Sequence, residues 1–197
     1  MNSSKTEITR ADIISMDQYA QERRERRTSI SALKKNRRVH VGPDATFYFE
    51  SYQTMWHQVH EMLYIEKGGE AQIDDELSAY NPLVPNGLEL VATLMFEIDD
   101  EDRRAAFLSK LGGVEETVMI TIGDIEIRGI SEEDIDRTTA DGKASAVQFI
   151  HFPFTGEAIA AFKKGEKRMI LSINHPAYGH MAALSVDVRE ALSADFN

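Results

Sequence analysis

Hydrophobic positions along this chain follow two repeats, one of three to four residues and one of two, which interleave irregularly from end to end. From Asp12 to about Arg38 the spacing is helical, with Ile13, Met16 and Ala20 opening an apolar stripe that Ile30 and Leu33 continue. The middle of this stretch, QERRERR, is polar all round, so the predicted helix lies across a surface and not inside a core. Two short β-type runs, Val39–Val41 and Thr46–Glu50, flank a Gly42-Pro43-Asp44 turn. A helix follows over 51–66, its apolar stripe built from Met55, Val59 and Met62 with Trp56 and Leu63, and Gly68-Gly69 stops it. A shorter helix over 71–80 ends before Pro82.

The clearest strand is Leu88–Ile98, where every second residue is apolar and the other face is mixed. Asp99 or Asp100 caps a helix of about 100–111, closed by Gly112-Gly113. TVMITIGDIEIRGI reads as a hairpin whose two-residue loop, Gly123-Asp124, has glycine first. A polar loop over 131–145, with one helical turn started by Ser131, separates it from a strand at Val147–Phe152. Thr155 caps a helix of 156–164, Arg168–Ile173 is the last predicted strand, and Ser185 caps the final helix, 186–194. Strands and helices do not alternate as a doubly wound parallel sheet requires. The predicted class is therefore α+β, with a mainly antiparallel sheet, helices packed on one face and a long basic N-terminal helix. Residues 1–9 read as a flexible tail and 10–197 as a single α+β domain.

Composition narrows the chemistry. The 197 residues, 42% apolar and 28% charged, suit one folded core and not a disordered chain. No cysteine is present, which removes disulfides, thiolate metal sites and cysteine nucleophiles. No secretory signal and no apolar run long enough to cross a bilayer is visible, so a cytoplasmic protein without membrane contact is expected. Charge is segregated: residues 1–41 hold ten Lys/Arg against five Asp/Glu, while the rest of the chain carries −16, for a net −11. A basic arm on an acidic body is suited to docking on its own domain, on a second copy or on an acidic partner.

Four constellations carry candidate chemistry. On the 51–66 helix, His57, His60, Glu61 and Tyr64 share the side opposite the apolar stripe, and two imidazoles with a carboxylate suit a divalent metal ion. The order HxxHE is not that of a metalloprotease helix, and a solvated or interface face is the plainer reading. His175, Tyr178 and His180 follow a strand, where a turn stitched to nearby backbone is preferred over a site. Glu89 and Glu97 share a strand face, but eight residues at about 3.3 Å put them roughly 26 Å apart, too far for an acid–base pair. Either one can still pair with a residue of another element. The basic run from Arg23 to Arg38 has one aromatic neighbour, Tyr19, and no nucleic-acid motif, so it is read as a bridge to acidic surface. Nucleotide-binding glycine loops and a GxSxG elbow are absent.

The segments RRVHVGPDATFYFESYQTMWHQVHEMLYIE, ELSAYNPLVPNGLELVATLMFEI, VQFIHFPFTGEAIAAFKKG and INHPAYGHMAAL together resemble a bacterial family, domain of unknown function 3501. The resemblance runs from about Asp17 to the end of the chain. Genes of that family often lie beside those of rubrerythrin-like and iron–sulfur oxidoreductase proteins, which implies an accessory role in redox or oxidative-stress chemistry with a redox protein as partner. The matching polar positions include Glu50, Gln58, Glu61, Glu76, Tyr80, Asn81, Glu89, Thr93, Glu97, His175 and Tyr178. Where this chain has His60 the family has glutamine, which moves interest from a metal toward Glu61 and the His175/Tyr178 turn.

The resulting expectation is an accessory or binding protein, homo-oligomeric, with Glu61, Tyr80, Asn81, His175 and Tyr178 as binding residues. The alternative is a metal-binding protein or metalloenzyme that uses His57, His60 and Glu61. Nucleic acid is not an expected partner.

Overall fold

The computed structural model describes residues 5–132 and 143–197. It is an α+β structure of two antiparallel sheets with six α-helices among the described residues. Helix α1 (Met16–Lys35) leads into β1 (Arg38–Val41) and β2 (Ala45–Phe49), then α2 (Tyr52–Glu66) and α3 (Glu70–Tyr80). β3 (Glu89–Phe96), α4 (Glu101–Leu108), β4 (Val118–Ile122), β5 (Ile125–Arg128) and β6 (Ile130–Ser131) follow. The chain finishes with β7 (Val147–Pro153), α5 (Gly156–Lys164), β8 (Met169–His175), β9 (Tyr178–Ala183) and α6 (Val186–Ser193).

The strand order is β1-β2-β3-β7-β6 in one sheet and β5-β4-β8-β9 in the other. Alternation decides which face is buried. Val39, Phe47, Leu90, Leu94 and Phe152 of the first sheet meet Ile120, Ile122, Leu171 and Ile173 of the second in one continuous core, which α5 and α6 join through Phe162 and Leu192. The chain crosses between the sheets at Gly129, whose N–H donates to the Val118 carbonyl at 2.9 Å. A Cβ there would sit 2.6 Å from the Ile150 side chain, so only glycine fits the crossing. The other margin closes where Gly42, at φ +73°, lies under Tyr178 and His180.

The outer face of the first sheet carries a second cluster. Met55, Val59 and Leu63 of α2 and Ile73 of α3 pack there with Val91 of β3. Helix α1 lies on α2 and buries only Tyr19, which agrees with its polar middle. Side chains cap the starts of α1, α2, α4, α5 and α6 from Ser15, Ser51, Asp100, Thr155 and Ser185.

Differences from the sequence reading have local causes. Two sheets stand where one was expected. The predicted helix over 12–38 is split, because Arg10–Asp12 forms a separate 3-10 turn and α1 starts only after its Ser15 cap. The last predicted strand continues to His175 and turns back into β9, whose residues are mostly exposed and so carry no apolar alternation. Ile8, inside the stretch read as a tail, is 1% exposed and joins the second cluster. Ser131 belongs to β6, and the remainder of the predicted loop over 133–142 lies outside the described residues, as do residues 1–4. No helix among the described residues is long and apolar enough to cross a membrane.

Candidate functional site

The polar side of α2 is covered by α1 and is not wet. Arg23 donates to both carboxylate oxygens of Glu61 at 2.8 Å, and the Tyr19 hydroxyl donates to the same group at 2.7 Å. These bonds, the Arg23 pair first, hold the Glu61 carboxyl at about 2, well below the usual range. Burial and Glu61 together push the Tyr19 phenol up. His57 Nδ1 lies 3.1 Å from the Tyr19 hydroxyl, and desolvation lowers its imidazole. His60 is fully buried beside the Trp56 ring. Its Nδ1 faces the Trp56 carbonyl at 2.7 Å, and its Nε2 accepts from the Ile14 N–H at 3.2 Å. That pattern assigns the neutral Nδ1–H tautomer, and burial lowers its pKa to about 4.

Both His60 nitrogens are therefore occupied by protein, and Glu61 has given its oxygens to a guanidinium and a phenol. A cation entering here would have to displace Arg23. Among the described residues no group of three or more His, Asp or Glu side chains is placed to hold a metal ion. What the arrangement does is clamp: it fastens the basic helix to α2, with Arg23 stacked over Tyr64 and Arg26 over Trp56.

The other sequence candidates fall into two places, Tyr80 and Asn81 at the end of α3 and His175 and Tyr178 paired across the β8–β9 hairpin. Asn81 brackets the N-terminal segment, accepting from the Ile8 N–H at 2.8 Å and donating to its carbonyl at 2.9 Å. Tyr80 meets Gln58 at 3.4 Å. Tyr178, buried, donates to the Val41 carbonyl and accepts from the Asp44 and Ala45 N–H groups. It thereby stitches the distant β1–β2 turn and not its own hairpin, where nearby backbone was the expected partner. His175 accepts from the Ala177 N–H within its own hairpin. The two separated carboxylates each find a partner elsewhere: Glu89 meets His151 at 3.0 Å, and Glu97 accepts from the Tyr48 hydroxyl at 2.7 Å.

One face of α1 remains open. Ala20, Arg23, Arg24, Arg27, Thr28, Ser31, Ala32 and Lys35 recur at helical spacing and form one wall of a groove of about 1190 Å³. Arg38 and His40 of β1 and Tyr64 of α2 form the other wall. Arg24, Arg27 and Lys35 have no ion-pair partner among the described residues. Arg38 lies over the Tyr48 ring. The groove thus gathers positive charge on a chain whose net charge is −11.

The sequence profile of the family described as Protein of unknown function (DUF3501) matches residues 7–196. The chain belongs to that family. Its fold is similar to a crystal structure of a novel protein of unknown function from Burkholderia pseudomallei, with a TM-score of 0.89 and 36% identity over 96% of this chain and 99% of that one. No curated protein matches the chain.

Within this family member, sequence reasoning named the basic run, Arg38 included, but missed His40, which joins it in the groove. Arg38 and His40 alternate with the buried Val39 and Val41, so they share the outer face of the sheet. The signal was the polar half of that short alternation, of which only the apolar half was read.

Proposed function

We propose that this protein is a non-catalytic binding protein that recognises an anionic ligand or partner group in the groove between α1 and β1. The observation that carries this reading is that Arg24, Arg27 and Lys35 line that groove with no ion-pair partner among the described residues, while the Glu61 cluster is consumed in holding the helix that forms one wall. Placing several like charges beside one another costs stability, and an arriving anion removes that cost. An accessory role in a redox system, with a redox protein presenting the anionic group, is part of this proposal.

Thermal unfolding with sulfate, citrate and pyrophosphate tests it, with sodium chloride holding ionic strength constant. A ligand at about 100 times its dissociation constant adds about 2.7 kcal/mol, which raises Tm by roughly 5–10 °C for a chain of this size. The double variant Arg24→Glu, Arg27→Glu is expected to lose that rise. Equal rises in both proteins, or none in either, would remove the groove as a recognition site.

A second occupant has its own support. Asp99, Asp100, Glu101 and Asp102 are consecutive exposed carboxylates at the start of α4, so a second copy presents an acidic cluster to the basic groove. Light scattering in low and high salt reads this out, and a strict monomer in both excludes reciprocal docking.

A further inference from the structure

We infer that the anionic group the groove takes is a phosphoryl group, bound on β1 by Arg38 and His40. The inference rests on the binding reading above and adds the ligand class. Its basis is how the floor of the groove is wired.

His40 Nδ1 lies 2.9 Å from the Thr46 hydroxyl on the paired strand, where the register places His40 opposite Thr46. Thr46 first, then Tyr48, Arg38 and His40, hold the nearby Glu97 carboxyl below its ordinary value. One nitrogen of the exposed His40 ring is thus tied to the neighbouring strand while the ring itself lines the groove. Arg38 stands two residues away on the same strand face, about 7 Å along, so a guanidinium fork and an imidazole nitrogen point from one ledge. Arg24, Arg27 and Lys35 line the same groove from α1.

The charge gathered here favours phosphate over a single carboxylate. A carboxylate brings one charge and two acceptor oxygens, whereas a phosphate monoester carries nearly two charges and three strong acceptor oxygens. Arg38 can grip two of those oxygens as a fork, while His40 and the α1 cations meet the remaining charge.

Isothermal titration of the full chain with pyrophosphate and with citrate, at equal ionic strength, decides the matter. Pyrophosphate is expected to bind at least tenfold more tightly than citrate. His40→Gln should cost tenfold or more in pyrophosphate affinity. Thr46→Val, a change at a positioning residue, should weaken pyrophosphate binding more than citrate binding while circular dichroism stays native. An arm with AMP separates a nucleotide source from an inorganic one: tighter binding than pyrophosphate indicates contacts to the nucleoside as well as to phosphate, and weaker binding indicates phosphate alone. Citrate binding as tightly as pyrophosphate, or His40→Gln binding as wild type does, would overturn the phosphoryl inference while leaving the groove as a general anion site. Binding of neither anion would end both.

Discussion

Replacing Glu61 by glutamine is the sharpest probe of how the basic helix is held. In the fold this carboxylate receives two N–H bonds from Arg23 and one O–H bond from Tyr19. Its pKa falls from an ordinary 4.5 to about 2, which corresponds to about 3 kcal/mol of preference for the charged form. The Glu61 side chain is 15% exposed but Arg23 is 28% exposed, so solvent screening reduces that figure, and a loss of about 2 kcal/mol is expected for Glu61→Gln. Because the folded carboxyl is the more acidic one, the unfolded chain binds the proton first as pH falls. The stabilisation is therefore complete above about 5 and is lost between 4.5 and about 2. Urea unfolding followed by the single tryptophan, Trp56, which lies against the clamp, measures this at pH 7 and pH 3. A double-mutant cycle with Arg23→Gln isolates the pair. A variant within about 0.5 kcal/mol of wild type at pH 7, or a deficit that is the same at pH 3, would refute the clamp.

Other consequences are independent of that one. His60 is buried neutral with its pKa lowered to about 4, so the unfolded chain takes up the proton first and stability should fall between pH 6.5 and 4 by up to about 3 kcal/mol; His60→Gln should flatten that slope in the same urea experiment. Tyr178→Phe removes a hydroxyl serving three backbone groups of the β1–β2 turn, and a loss of about 2–3 kcal/mol in chemical denaturation is expected, more than for a surface Tyr→Phe change. Gly42→Ala meets both a positive φ and a Tyr178 hydroxyl 2.6 Å from the new Cβ, so its melting temperature should drop well beyond that of Gly156→Ala, where no atom lies within 4 Å. Asn81→Ala frees the N–H and carbonyl of Ile8, and limited proteolysis should then cut near residue 8 faster than in wild type.

Much of the fold is legible in the chain because its local signals agree. Ser51, Thr155 and Ser185 mark helix starts where the hydrophobic period changes, and each caps the helix it announces. Gly123-Asp124 fixes a hairpin by turn chemistry alone, with Ile122 opposite Ile125. The division into two sheets is less visible, since strands of either sheet alternate in the same way and the chain changes sheet three times, after β3, β5 and β7. Strand β9 escapes because an exposed edge strand needs no apolar face.

The candidate site divides along the same line. Glu61, His57 and His60 stood out as a motif because they lie on one helix, yet their role depends on α1 arriving from 38 residues away in sequence with Tyr19 and Arg23. A face opposite an apolar stripe looks wet until a second, mostly polar helix covers it, and Tyr19 was the one residue in that helix to hint at burial. The groove had no motif at all. Its cations come from α1 and its imidazole from an edge strand, and their convergence is a property of tertiary structure.

An amide chemical-shift map of the protein titrated with pyrophosphate is predicted to change along α1 at Arg24, Arg27 and Lys35 and along β1 and β2 at Arg38, His40 and Thr46, leaving His175 and Tyr178 unmoved. Shifts centred on the His175–Tyr178 hairpin, or spread evenly over the basic surface residues, would contradict an anion site in the groove.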